Sequence, residues 1–547
     1  MTANPTKTAH LDTFVRDHLP PPEDQPDFRF LLPELQYPDR INAAAAFVDR
    51  WIAAGHGDRP CLISPSEEWS YRELGSRVDR IARVLVERLG LVPGWRVLLR
   101  APNMPMLAAA HLAVWKAGGV VVATMPLLRA RELSLLIGQA RIGLALCDDR
   151  LLAELEKAQE IAPQLQRIVA FGELENLMAE VSDAPFPACD TAADDPCMIG
   201  FTSGTTGKPK GTIHVHRDLL ATCDTYGRHV LRARPDDRFI GSPPLAFTFG
   251  LGGLLLFPLR AGAATVLLEK APPDELLPAI ARHRATICFT APTAYRAMLS
   301  KLSKHDISSL RSLRIGVSAG ETLPKAIWDA WYEATGIELM DGIGSTEMLH
   351  IFIGSPQGEI RPGATGRPVP GYEARVVDDQ GREVPPGTIG RLTMRGPTGC
   401  RYLDDERQKT YVRGGWNYSG DTYSMDEDGY FWYQARTDDM IVSSGYNIAG
   451  PEVEAALLTH PAVAECGVVG APDPERGQIV KAYVVLHPGH TGDSAMTRSL
   501  QDFVKAEIAP YKYPRAVAFV DALPRTQTGK LQRFRLREMA KAQEGPA

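Results

Sequence analysis

A chain of 547 residues with 44% hydrophobic and 23% charged side chains has an ordinary globular composition and is long enough for about three to five structural units. Its 48 glycines and 43 prolines fall short of the share that marks low-complexity or collagen-like chains. A net charge of −6 without long basic runs argues against nucleic-acid binding and against a polybasic membrane patch. The 8 cysteines are scattered with no CxxC pair, which disfavours a zinc ribbon or redox motif and fits a reducing, cytoplasmic setting. The first 27 residues carry charges and prolines but no apolar signal region. The most apolar stretch, 106–128, holds His111, Lys116 and Pro126, so no membrane span is expected.

In chain order, the first 45 or so residues read as an irregular, proline-rich arm. Residues 70–89 predict a helix, with Ser70 and Glu73 as a capping box and Leu74, Val78, Ile81, Ala82, Leu85 and Leu89 on one face. A strand (96–99), a helix (104–117) and a strand (119–123) follow. That alternation points to parallel sheets covered by helices. Further strand-like runs are 168–171, 264–268, 286–289 and 313–317. After about residue 366 the texture turns strand- and turn-rich (372–377, 390–395, 430–433), as expected of a small antiparallel β unit. The end of the chain predicts a compact α+β domain, with helices at 450–459 and 499–507 and strands at 466–469 and 482–486. The fold class is therefore α/β, with a large first domain over 1–436 and a small second one over 437–547. No repeat of solenoid period is present.

The densest chemical signal is Thr202-Ser203-Gly204-Thr205-Thr206-Gly207-Lys208-Pro209-Lys210-Gly211, directly after the apolar run 198–201. Glycines permit tight turns that aim several backbone N–H groups at one anion, and four hydroxyls and two ammoniums add donors. This is the make-up of a polyphosphate cradle. It is not a Walker A loop, because no Ser or Thr follows the lysine at the required place, and it is not GxGxxG. His214 and His216 form an HxH pair with Asp218 as the one nearby third ligand. That is too little for a metal site, so the two read as strand-end side chains beside the loop.

The TSGTTGKPKG loop resembles the signature of the adenylate-forming superfamily of acyl-CoA synthetases, peptide-synthetase adenylation domains and beetle luciferases. Its other landmarks occur in order: Ser318-Ala319-Gly320-Glu321, Asp341-Gly342-Ile343-Gly344-Ser345-Thr346-Glu347, 390–396, Tyr418-Ser419-Gly420-Asp421, Arg436 to Ile448, and 524–530. The resemblance covers about residues 45–537. It departs at Ile343, Ala435 and Val442, none of which carries a catalytic group.

The resemblance implies an acyl adenylate made from ATP with Mg²⁺. Thr202, Ser203, Gly204, Thr205, Thr206, Gly207 and Lys210 would hold phosphates. Ala319, Gly320, Glu321, Asp341 and Gly342 would lie on the nucleotide side. Thr346 would donate to the α-phosphate, and Glu347 would be the metal ligand, since a carboxylate suits a hard cation. Asp421 would take the ribose hydroxyls and Arg436 would add a cation beside them. Lys530, from the mobile terminal domain, would bridge carboxylate and phosphate. Asp438 matches the hinge, and Gly445, without a Cβ, the pantetheine path for CoA.

Residues 240–259 contain no Asp, Glu, Lys or Arg but hold Phe247, Phe249 and Phe257. An unpaired buried ammonium is costly, so an amino-acid substrate is disfavoured. The runs 242–252 and 341–352 resemble 2-aminobenzoate– and benzoate–CoA ligases. Phe247, Ala319, Gly344 and His350 are the implied acid-pocket residues. The expected activity is an acid–thiol ligase joining a small aromatic acid to CoA, as a monomer or homodimer. The alternatives are an enzyme that loads a separate carrier protein, or a medium-chain acyl-CoA synthetase.

Overall fold

Two parallel-rich sheets form the bulk of the chain in the computed structural model, which describes residues 7–202, 208–302, 306–320, 323, 325–436, 440–524 and 531–542. The six-stranded sheet runs in the order Arg167–Ala170, Leu144–Cys147, Arg96–Arg100, Val120–Thr124, Pro196–Thr202, Lys210–Val215. Its first five strands are parallel, and the last returns antiparallel to Pro196–Thr202. Val97, Leu98, Leu99, Val120, Val121 and Val122 are all buried, as expected of strands covered on both faces.

The nine-stranded sheet has a parallel centre, from Leu339–Gly344 through Ile315–Ser318, Ile287–Thr290, Arg238–Gly241 and Ala264–Val266 to Pro60–Ile63. Antiparallel strands edge it at both ends. The predicted helix at 70–89 forms as Tyr71–Arg83, continued by a wider turn at Val84–Arg88. Its capping box is made: Glu73 N–H donates to Ser70 Oγ at 3.2 Å, and Ser70 N–H donates to Glu73 Oε2 at 2.7 Å. The stretch 106–128 is an internal helix, Pro105–Lys116, followed by a strand. Lys116 is buried there because Asp49, at 2.9 Å, and Asp79 hold its ammonium. No helix among the described residues is long and apolar enough to cross a membrane.

The antiparallel unit expected after residue 366 is a five-stranded sheet containing Glu373–Val377, Gly390–Arg395 and Trp416–Met425. The N-terminal arm is tied to it: Asp27 and Arg29 N–H groups donate to Gly415 and Gly396 carbonyls, each at 2.9 Å. The small α+β part pairs Val463–Asp473 antiparallel with Gly477–Leu486, which pairs parallel with Ala516–Phe519. Both hairpin strands run further than their apolar cores predict, because the ladder continues through polar positions such as Glu465 and Gln478. Lys512 reaches from this part to Glu132 of the first, donating to it and to Glu452 at 2.7 Å each.

Candidate active site

Thr346, Glu347 and His350 share one hairpin loop, residues 345–350, between Leu339–Gly344 and the antiparallel strand Ile351–Gly354. The loop is pinned from several sides. Thr346 O accepts from Leu349 N–H at 3.1 Å and from His214 Nε2–H at 2.7 Å. Thr398 Oγ1 donates to Met348 O at 2.7 Å, and Met348 N–H donates to Ser345 Oγ at 3.2 Å. Leu349 takes the left-handed conformation at φ 70°, which turns the chain back so that His350 faces inward.

Glu347 is buried, and Tyr402 O–H donates to its Oε1 at 2.5 Å. Lys210 Nζ lies 5.4 Å from the centre of the Tyr402 ring. Thr202 pairs with Lys210 across the antiparallel ladder, so the two strands deliver both ends of the glycine-rich loop to one place. Gly200, on the same strand, lets the loop approach: a Cβ there would sit 2.8 Å from Thr346 Cγ2. A buried carboxylate with one oxygen held by a phenol, and a lysine over that phenol's ring, fit a hard divalent cation and a polyphosphate.

On the other side of the sheet end, Asp341 stands opposite Ser318, and Ala319 and Gly320 follow that strand. Burial pushes the Asp341 carboxyl well above the usual range, and its Oδ1 has no hydrogen-bond partner among the described residues. Ser318 Oγ and Tyr226 Oη are likewise buried without one. Buried polar atoms left without partners fit a ligand with its own donors and acceptors. Asp421 is buried and pairs in register with Arg436.

Around His350 the structure builds an aromatic box. Phe257 meets it edge-on at 4.6 Å between ring centres, with Tyr226 at 5.4 Å, Phe249 at 5.7 Å and Phe289 at 6.3 Å. Burial lowers the imidazole pKa to about 3, so the ring is neutral at pH 7. Neither ring nitrogen makes a hydrogen bond of ordinary length among the described residues. Gly252 gives the ring its room, since a Cβ there would fall 2.2 Å from His350 Cδ2. Phe247 does not join this box. It lines a small cavity with Gly200, Thr248, Thr346 and His111.

The structure thus gathers Thr202, Lys210, Thr346 and Glu347 at one end of the two sheets, with Ala319, Asp341, Gly342, Gly344 and His350 continuing the same strand ends. Gly445 is a turn residue at φ 79°, away from this loop in sequence and on the hairpin of the terminal part. Ser203, Gly204, Thr205, Thr206, Gly207, Glu321, Asp438 and Lys530 lie outside the described residues. Sequence reasoning passed over Tyr402, Arg401 and Tyr226. Arg401 and Tyr402 sit between Gly399 and the acidic run Asp404–Glu406, and no motif there ties them to the Thr346–Glu347 pair. His214 and His216 stand at the end of the strand Lys210–Val215, as expected; the first donates to Thr346 O and the second accepts from Ala43 N–H at 3.1 Å.

Family models match in two places, the AMP-binding enzyme over residues 49–401 and the AMP-binding enzyme C-terminal domain over 452–530. Benzoate–CoA ligase of Thauera aromatica is 37% identical, over 92% of this chain and 97% of its own. The 4-hydroxybenzoate–CoA/benzoate–CoA ligase of Rhodopseudomonas palustris is 35% identical, over 91% and 94%. The crystal structure of the anthranilate CoA ligase AuaEII in complex with anthranoyl-AMP superposes with a TM-score of 0.73 at 35% identity, covering 94% of this chain and all of that one. With a glycine-rich strand–loop–strand, a Thr–Glu hairpin beside it and a matching terminal domain, the chain belongs to the AMP-binding enzyme family.

Proposed function

We propose that the protein catalyses ATP-dependent, AMP-forming activation of a small aromatic carboxylic acid and transfers the acyl group to CoA. The observation that carries this is the placement of an uncharged aromatic box around a neutral, hydrogen-bond-hungry imidazole on the same six-residue loop as Thr346 and Glu347. The similarity to benzoate–CoA ligases and to an anthranilate CoA ligase bound to anthranoyl-AMP supports it.

In the first step an oxygen of the acid attacks the α-phosphorus of ATP, and the bond to pyrophosphate breaks. Thr346 Oγ1 donates to the α-phosphate as charge builds on it, and Lys210 and the loop 202–207 hold the outgoing phosphates. Glu347 would hold Mg²⁺, which when bound would supply charge neutralisation for the triphosphate. Ala319, Gly320, Glu321, Asp341 and Gly342 frame the base, while Asp421 and Arg436 hold the ribose. Lys530 neutralises the meeting of carboxylate and phosphate. In the second step the CoA sulfur attacks the acyl carbon and AMP leaves, with the terminal domain (437–547) turned about Asp438 so that pantetheine passes Gly445. The ring lies against Phe249, Phe257 and Phe289, each aromatic contact adding roughly 0.5–1.5 kcal/mol beyond area burial. The same reading has the enzyme working in the cytoplasm, in keeping with its eight free thiols, as a monomer or homodimer.

The test is a steady-state panel of 2-aminobenzoate, benzoate, octanoate and phenylalanine with saturating ATP, Mg²⁺ and CoA, read as AMP formation. The two aromatic acids are expected to lead in kcat/KM. Octanoate or phenylalanine in front would reject the aromatic assignment.

A further inference from the structure

We infer that His214, clamped by Asp218 and Arg401, is a positioning residue for the Thr346 hydroxyl. The inference rests on the reading of Thr346 as the α-phosphate donor. Thr346 lies outside the regular strands, so no ladder fixes its backbone. Its carbonyl is held by one local bond, from Leu349, and one long-range bond, from His214 Nε2 at 2.7 Å. A carbonyl oxygen can only accept, so Nε2 carries the hydrogen. The ring is fully buried, and its Nδ1 lies 3.5 Å from Asp218 Oδ2, longer than an ordinary hydrogen bond.

Asp218 is fixed in turn. Its Oδ2 accepts from Arg401 Nη1 at 2.7 Å and from Val215 N–H at 3.2 Å. Arg401 is itself buried and lies 4.0 Å above the Phe28 ring. Its carbonyl accepts from Ile213 N–H at 2.7 Å, and Leu403 N–H donates to Gly211 O at 2.8 Å. The segment 401–403 is thereby laid along the strand that carries His214. The next residue, Tyr402, is the one that grips Glu347. Two consecutive side chains therefore reach the two consecutive residues of the Thr–Glu pair, Tyr402 directly and Arg401 through Asp218 and His214. A buried ionic group of this kind is a poor way to gain stability, since apolar side chains of like volume serve as well or better. What apolar side chains cannot do is hold a carbonyl at a set distance and direction.

The experiment compares His214→Asn with His214→Gln. A glutamine amide can reach where Nε2 stands, whereas an asparagine amide stops near Nδ1. Acid-dependent pyrophosphate–ATP exchange is measured with benzoate, alongside thermal unfolding. His214→Asn is expected to lower kcat for exchange about 10–100-fold, the usual scale for loss of a group that orients a reacting residue. The KM for ATP should move far less than kcat, because the hydroxyl acts on charge that develops during reaction. His214→Gln should recover most of the loss. Equal impairment of both variants, a fall confined to the KM, or full activity in His214→Asn would each overturn the positioning role. Thr346→Val is run in parallel. If it retains exchange, the reading of Thr346 fails; if it loses exchange while His214→Asn does not, only the present inference fails.

Discussion

Replacing Gly200 with alanine puts one methyl group where the structure has no room for it. The new Cβ would lie 2.8 Å from Thr346 Cγ2, against the ~3.5–4.0 Å at which two carbon atoms rest. About 1 Å of movement is needed to relieve the overlap. The strand is the stiffer partner, since Gly200 pairs with Thr212 inside an antiparallel ladder. Thr346 must therefore rotate about χ1 or shift its backbone, whose carbonyl is held by Leu349 and His214. Either response re-aims the hydroxyl. A displacement of that size in a reacting group costs on the order of 100-fold in rate, and overpacking costs about 1–3 kcal/mol in stability. Gly200→Ala should thus lose roughly 10–100-fold in kcat for pyrophosphate–ATP exchange, with a lower denaturant midpoint and the slope of the transition unchanged. A variant with the parent's exchange rate would refute the argument, because it would show that Thr346 moves without consequence or was never placed at the phosphate.

Lys530→Ala should stop adenylate formation yet leave thioester formation from preformed acyl adenylate, as single-turnover assays of the two half-reactions would show; equal loss of both would assign Lys530 a structural role. His350→Ala should narrow the gap in kcat/KM between 2-aminobenzoate and benzoate by about 2–10-fold, the worth of one hydrogen bond, and an unchanged ratio would remove His350 from ring recognition. Burial holds the imidazoles of His111, His216 and His350 down to about 4, 3 and 3. The unfolded chain binds their protons near pH 6.5 while the native one refuses them, so stability is full above pH 6.5 and falls as pH drops toward 4. The slope is up to about 1.4 kcal/mol per pH unit for each ring. Denaturant unfolding at pH 7, 6, 5 and 4 tests this, and a flat profile across that window would contradict it.

Local order was open to a reading of residues alone because its causes are local. Ser70 and Glu73 cap a helix with their own backbone three residues away, and the 3.6-residue rhythm of Leu74, Val78, Ile81 and Leu85 says which face goes inside. The apolar run 198–201 ahead of a loop of glycines and hydroxyls predicts a strand that ends in an anion cradle, and the strand Pro196–Thr202 stops at that loop. The ordered landmarks carried the chemistry for the same reason: each is a short segment whose residue types are its function. Partner choice across the chain had no such signal. His214, Asp218 and Arg401 span 183 residues between the acid and the arginine, and Tyr402 meets Glu347 from 55 residues away. In sequence His214 and His216 read as strand-end side chains beside the loop, with nothing to say what each would meet. The strand alternation of 210–215 and the helix start at His216 send the two imidazoles to different places, one to a loop carbonyl and one to the backbone of Ala43. The resemblance implies Phe247, not Phe249, for the acid pocket, although both lie in the same uncharged run. The turn into the helix Thr248–Leu251 sets Phe249 against His350 and Phe247 beside Thr346. Periodicity within one element specifies which side of it is buried, but which distant side chain waits there depends on how the sheets close around it.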